Sequence, residues 1–286
     1  MEITFKEVDF AYPAYALPVQ PILHQISFQL PTASWNVLVG SIGSGKSTLL
    51  QLAAGLLTPT KGSILWDQQV FLAGEKKLPK RPPVGLVTQS PDTQLFELTV
   101  RREIAFGPMN QGCSPTEVDE HVQTAMSWVG LSKKLADRSP FHLSGGEKRK
   151  VALASLLAMK PRVLLLDEPT AGLDAKGKQQ LIKQLRWLQR EQGITLLIVT
   201  HHLEEMLPYI DQLFVLSEGK MAMQGAPDQL FRHPNRWKEL GLPLPEITEF
   251  IATLNNRFQL SISLQEGSIE SVLKELEATL MSRGDL

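Results

Sequence analysis

The sequence predicts an α/β fold organised around a bound phosphate, and three stretches carry that prediction. Val37–Leu50 reads V-L-V-G-S-I-G-S-G-K-S-T-L-L: an apolar strand ending at Val39, a glycine-rich loop, and an apolar helix. Val163–Glu168 (V-L-L-L-D-E) is an apolar strand ending in two acids, and Thr195–Thr200 is another ending at His201 and His202. Short apolar runs that alternate with helical segments are the pattern of a parallel sheet buried on both faces.

Taken in order, residues 3–10 and 22–30 read as two strands forming an antiparallel β piece at the N-terminus. In the second, Ile26, Phe28 and Leu30 alternate with Ser27 and Gln29, the period of a half-buried strand. Tyr12 follows the first strand and Tyr15 lies close behind it. An aromatic there either stacks on an adenine face or packs its loop onto the sheet. The loop Gly40-Ser41-Ile42-Gly43-Ser44-Gly45-Lys46-Ser47 matches Gly-x4-Gly-Lys-Ser, a phosphate cradle (P-loop). Gly40, Ser41, Gly43, Ser44 and Gly45 would turn backbone N–H groups toward one anion, and the following helix adds its positive end. Lys46 would reach the β- and γ-phosphates, the Ser47 hydroxyl would bind Mg²⁺, and Thr48 completes the helix start.

Gly62-Ser63 is a turn before a strand at Ile64–Trp66, and the basic, proline-rich segment Lys76–Pro83 reads as a solvated connection. Val84–Thr88 is a short strand, after which Gln89 is placed to touch Mg²⁺ or an attacking water. Residues 90–142 change to helices and turns. Thr116–Val129 carries Val118, Val122, Ala125, Met126 and Val129 on one side, a core-facing stripe. Leu143-Ser144-Gly145-Gly146-Glu147 then opens the helix Val151–Met159. Ser144, Gly145 and Gly146 suit an anion at a helix start, and the plainer alternative is a serine cap. Asp167 suits Mg²⁺, Glu168 suits a general base or water-orienting role, and adjacent carboxylates imply a compensating cation. Ala171-Gly172-Leu173-Asp174 leads into a helix at 175–191. His201 is a candidate hydrogen-bond partner for a γ-phosphate, the alternative being an ordinary surface histidine. At the far end, Ile247, Phe250, Ile251, Leu254 and Phe258 line one face of a helix. Ser268 caps a second, with Ile269, Val272, Leu273, Leu276 and Leu280 on one face.

The 286 residues suffice for a large domain with an appendage, and a formal charge of −1 gives no basic surplus for nucleic acid. Cys113 is the only cysteine, which fits a reducing compartment, and the histidines show no metal-ligand spacing. The opening residues Met1–Lys6 do not read as a signal peptide. The longest apolar stretch, Val151–Leu166, is broken by Lys160, Pro161 and Arg162, so no segment is expected to span a bilayer.

Together, Gly40–Thr48, Gln89, Leu143–Glu147, Leu164–Glu168, Asp174 and His201 resemble the ABC ATPases in order and spacing over about residues 1–235. The resemblance implies a P-loop ATPase domain with a helical subdomain at about 90–160 and a helical tail at 236–286. It also implies two heads in a head-to-tail sandwich, each ATP lying between one head's Lys46 loop and the other's Ser144–Gly146. Tyr12 resembles the adenine-stacking aromatic, Gln89 the lid glutamine, Asp174 the residue signalling between sites, and His201 the γ-phosphate switch. Gln89–Phe96 and Ala105–Pro108 are similar to the ATPases of energy-coupling factor (ECF) importers and related cobalt/nickel uptake systems of prokaryotes. These take up vitamins or transition-metal ions, which implies a peripheral protein on the cytoplasmic face of the membrane. The implied partners are a second ATPase, identical or related, a transmembrane scaffold met through Gln94, Leu95 and Phe96, and a small membrane substrate-binding subunit. The tail then reads as a dimerisation element, the alternative being packing on its own domain. An ordinary ABC importer and a soluble ABC ATPase are the neighbouring readings. Two positions depart from the family pattern: Glu147, where glutamine is usual, and His202, where aspartate is usual. A Glu147 carboxylate facing the γ-phosphate would repel it, whereas one turned away only favours the helix start.

Overall fold

The computed structural model describes residues 1–13, 21–67, 69–72, 82–88, 95–258, 262 and 269–283. Tyr15, Gln89 and Gln94 lie outside the described residues.

Strands β1 (Ile3–Phe10) and β2 (Leu23–Leu30) pair antiparallel and bury Ile3, Phe5, Val8, Ile26, Phe28 and Leu30. The chain continues through β3 (Trp35–Gly40), helix α1 (Lys46–Ala53), β4 (Lys61–Trp66) and β5 (Gln69–Leu72). β4 pairs with the free edge of β1 and β5 with β4, giving a four-stranded antiparallel sheet in the order β2-β1-β4-β5. After β6 (Val84–Val87) come three helices, α2 (Val100–Asn110), α3 (Pro115–Trp128) and α4 (Gly145–Leu157). Thr99 caps α2, and Ser114 with Glu117 closes a capping box at α3, next to a proline at the first turn. The buried stripe of α3 is Val118, Val122, Ala125 and Met126, as its spacing predicts.

β7 (Val163–Asp167), α5 (Ala175–Glu191) and β8 (Thr195–Val199) follow, and then the β9 (Gln212–Ser217) and β10 (Lys220–Gly225) hairpin. The second sheet runs β10-β9-β3-β8-β7-β6, parallel except for its β10 edge. Its central strands β3, β8 and β7 are mostly apolar because each face has its own core. Val37, Leu164, Leu166, Leu196, Ile198 and Val215 face the helical side. Leu38, Val163, Leu165, Leu197, Val199 and Phe214 face α1 and the antiparallel sheet.

Helices α6 (Pro227–Phe231), α7 (Pro234–Glu239), α8 (Glu246–Phe258) and α9 (Ile269–Arg283) end the chain. The expected boundary at 235/236 falls inside α7, whose buried Trp237 packs against Phe231 with the rings tilted 39° and their centroids 5.3 Å apart. The tail stripe divides. Ile251 and Val272 join the helical-side core, whereas Phe250 and Leu273 are about half exposed.

Candidate nucleotide site

The C-terminal ends of β3, β8 and β7 lie side by side in the sheet, and the predicted phosphate-site residues of the first motif sit there. The loop leaving β3 owes its shape to glycine. Gly43 and Gly45 have φ of 80° and 102°, and a Cβ on Gly40 would stand 2.1 Å from the Leu216 carbonyl oxygen. The β9–β10 turn buttresses the loop from outside. Glu218 and Gly219, both at positive φ, make the two-residue turn, and the Gly219 N–H donates to the Ser44 carbonyl at 3.2 Å. Buried Lys46 donates from Nζ to the carbonyls of Gly40 and Ser41, each at 2.8 Å. Burial lowers its pKa, against the opposing pull of Asp167 and Glu168.

The Ser47 hydroxyl donates to Asp167 Oδ2 at 2.9 Å. A hydroxyl and a carboxylate meeting at one point beside a phosphate cradle are hard oxygen donors of the kind Mg²⁺ takes, so the residues fit the ion. Glu168, one residue on, is buried and held at φ 48°, its N–H donating to the Val199 carbonyl at 2.9 Å. A non-glycine residue in that region is strained, and the strain aims the side chain across the strand ends. Oε1 has no hydrogen-bond partner in the protein and lies 3.5 Å from His201 Nε2. Burial raises the Glu168 pKa; His201 opposes that shift and Asp167 adds to it. His202 is exposed, and its backbone N–H donates to Thr200 Oγ1 at 3.0 Å. Tyr12 stands edge-on to Phe10 and is partly exposed, with its hydroxyl 3.4 Å from Thr48 Oγ1. An open ring face at the mouth of the loop is what base stacking requires.

The second motif forms a separate surface. Ser144 N-caps α4, and Asp174 N-caps α5 by accepting from the Gly177 N–H at 2.7 Å. With Gly146, Leu153, Leu173 and Leu181, they line a 260 Å³ cavity. Arg149 Nη1 donates to the Ala171 carbonyl at 2.8 Å, tying α4 to the loop that carries Asp174. A Cβ on Gly145 or Gly146 would meet nothing within 4 Å, so nothing among the described residues requires glycine there. Glu147 turns back onto its own cap, Oε2 accepting from the Ser144 N–H at 3.0 Å and the Ser144 hydroxyl at 2.8 Å.

A third surface is an 820 Å³ groove lined by Leu95, Phe96, Glu103, Phe106, Leu156 and Met159, among others. Leu95 is core at 6% exposure, whereas Phe96 is exposed and packs edge-on against Phe106. Sequence reasoning missed Glu103. It is 4% exposed, and its Oε2 accepts from the N–H groups of Phe96 (2.9 Å) and Glu97 (2.7 Å). No sequence signal marks a carboxylate in an Arg-Arg-Glu run as buried.

Fold and site together define a P-loop ATPase of the ABC type. The family model described as "ABC transporter" matches residues 23–171. An energy-coupling factor transporter ATP-binding protein EcfA2 from Bacillus cereus is 40% identical over 99% of this chain and 98% of its own. One from Caldanaerobacter subterraneus is 42% identical over 90% of each. Among solved structures, cbiO1 from Clostridium perfringens, part of the ABC transporter complex cbiONQ, superposes with a TM-score of 0.73. It is 34% identical over 87% of this chain and 98% of its own. A dimeric ATP-binding cassette in a post-hydrolysis state with ADP and Pi gives 0.69, at 25% identity over 78% of this chain and 98% of its own. The chain belongs to the ABC transporter ATPases, in their energy-coupling factor branch. Among the described residues no helix is long and apolar enough to cross a membrane.

Proposed function

We propose that this chain hydrolyses ATP as one head of a head-to-tail pair that powers an ECF-type importer for a vitamin or transition-metal ion. One observation carries the reading: the Lys46 cradle, the Ser47–Asp167 pair and the Glu168–His201 pair converge on three neighbouring strand ends. In this reading Tyr12 stacks on the adenine, and the N–H groups of Gly40–Gly45 and Lys46 hold the phosphates. Mg²⁺, held by Ser47 and Asp167 with Gln89 as the further candidate, would neutralise charge on the β- and γ-phosphates. Glu168 takes a proton from the attacking water, which its raised pKa favours. His201 bonds the γ-phosphate and, when protonated, keeps Glu168 ionised.

The partner head closes its own ATP against this chain's Ser144, Gly145 and Gly146, and Asp174 relays between the sites. Open space around both glycines supports a close approach from outside. The groove beside exposed Phe96 and Phe106 receives the transmembrane scaffold, through which a small membrane substrate-binding subunit is coupled, and Leu95 lines that groove from the core side. Gln94, the remaining candidate for this contact, lies outside the described residues. The scaffold would hold the protein at the cytoplasmic face, and the half-exposed Phe250 and Leu273 suit the tail to a dimer contact.

The test is Glu168→Gln, with the complex recovered from detergent-solubilised membranes. The variant should bind Mg-ATP, trap the closed pair and lose turnover, while the wild-type chain brings down a transmembrane scaffold. Near-normal hydrolysis by the variant would place the base elsewhere, and recovery of the chain without membrane partners would remove the transport reading.

A further inference from the structure

The Glu147 carboxylate accepts two hydrogen bonds among the described residues, both from one residue. The Ser144 hydroxyl and the Ser144 N–H both donate to Oε2, at 2.8 and 3.0 Å. In the proposed function those are groups that receive the γ-phosphate of the opposite head, so this inference rests on that reading. We infer that Glu147 is a resident anion at the second motif, occupying the Ser144 donors until a nucleotide phosphate displaces it. Closure over ATP therefore includes a swap of one anion for another, and Glu147 sets the ATP concentration at which it happens.

The chemistry of the swap is specific. A serine hydroxyl has one proton to donate, so it cannot serve the carboxylate and a phosphate oxygen together. The bond to be broken is charge-assisted, and those two hydrogen bonds hold the Glu147 pKa down, so the group is anionic at neutral pH. Arg138 and Lys150 are close enough to add to that shift, and they offer the displaced carboxylate a cationic surrounding. Leaving Glu147 in place would set two anions against each other at one helix start.

The molecule contains its own control. Ser114 and Glu117 at α3 repeat the arrangement almost atom for atom: both Ser114 donors reach Glu117 Oε2 at 2.8 Å, and the Glu117 N–H lies 3.4 Å from Ser114 Oγ. There the first turn begins with Pro115 and Thr116, and the box is a cap only. At α4 it begins with two glycines open to approach. A purely structural role therefore predicts the same behaviour from both boxes, and the anion swap predicts different behaviour.

The test uses the ATPase complex isolated from membranes through a tag on this chain, so that the companion head is native. Glutamine still closes a capping box and removes the charge, so E147Q and E117Q should both fold. Hydrolysis is measured against ATP concentration. E147Q should lower the half-saturating ATP concentration about 3- to 10-fold, the difference between a charge-assisted and a neutral hydrogen bond, with kcat equal or higher. E117Q should leave it unchanged. An unchanged or raised half-saturating concentration in E147Q, or an equal drop in E117Q, overturns the inference. S144A separates the two levels. If it leaves ATP dependence intact, the trans-site reading fails and takes the inference with it. If S144A is impaired but E147Q matches wild type, only the inference fails.

Discussion

Glu103 gives the sharpest link between a buried bond and the groove of the proposed scaffold contact. Its carboxylate is 4% exposed and takes two backbone N–H groups, from Phe96 at 2.9 Å and Glu97 at 2.7 Å. In Glu103→Ala both donors lose their acceptor. A hydrogen bond to a charged group is worth about 1.5–3 kcal/mol. With partial recovery by water at this half-open edge, the pair should cost roughly 2–4 kcal/mol. Glu103→Gln keeps an oxygen with two lone pairs in place and loses only the charge, so about half that loss is expected. Amide hydrogen exchange reads the effect at the two bonds themselves. At about 1.4 kcal/mol per tenfold, Phe96 and Glu97 should exchange about 30- to 700-fold faster in the alanine variant. Glutamine should fall between it and wild type. Phe96 would lose its fixed edge-on contact with Phe106, so basal ATP hydrolysis should persist while capture of the scaffold weakens. Exchange at both amides within a few-fold of wild type in Glu103→Ala would refute the clamp.

Two further expectations concern the site and the tail. The Glu168 pKa is raised, chiefly by burial, so the folded protein favours the protonated acid. The base is needed ionised, so turnover should rise with pH through a midpoint above the ordinary carboxylate range. The stability sign runs the other way: the Glu168 contribution is full below the unfolded pKa and lost as pH rises through the folded one. Thermal melts at neutral pH should therefore show Glu168→Gln at or above wild type, and a clear destabilisation would contradict the burial argument. In the tail, Phe250 and Leu273 are 51% and 49% exposed, so replacing both with glutamate should change stability by no more than about 0.5 kcal/mol per site. Sedimentation should nevertheless show a smaller ATP-dependent dimer fraction. An unaltered dimer would leave the tail as packing for its own domain.

Much of the fold is legible because a doubly buried parallel sheet is filled mainly by apolar side chains, with Asn36 and Thr195 as hydrogen-bonded exceptions. β3, β7 and β8 are nearly unbroken apolar runs, and the polar residues that end them are the site. Helix α5 falls on the predicted 175–191, since Asp174 caps it and glycine follows at 193. The β9–β10 hairpin carries a readable signal, Glu218-Gly219 following the apolar run of β9. β5 is four residues on a sheet edge, too short for periodicity to distinguish from a loop. Glu103 was illegible for a different reason, and for Glu147 the sequence marked the residue but not which way its carboxylate turns. Each carboxylate takes its meaning from the N–H or hydroxyl it meets, and composition does not specify partners. The tail stripe was visible, but one amphipathic face cannot say which part a core covers and which part stays open.

The glycines separate what this chain completes alone from what it leaves for another. At Gly40 and Gly219 an added methyl would run into carbonyl oxygens 2.1 Å away, those of Leu216 and Ile22, so the chain's own backbone explains both. These two build and brace the phosphate loop, which is formed without any partner. At Gly145 and Gly146 the same methyl would meet no described atom within 4 Å, and alanine is in general the better helix former. Among the described residues no contact explains glycine at this helix start, which supports the proposed approach of a second head from outside. The anion at this helix start is Glu147, already bound to the cap serine. On the proposed function, the first motif is one half of a nucleotide site and the second is the surface offered to the other head's phosphate.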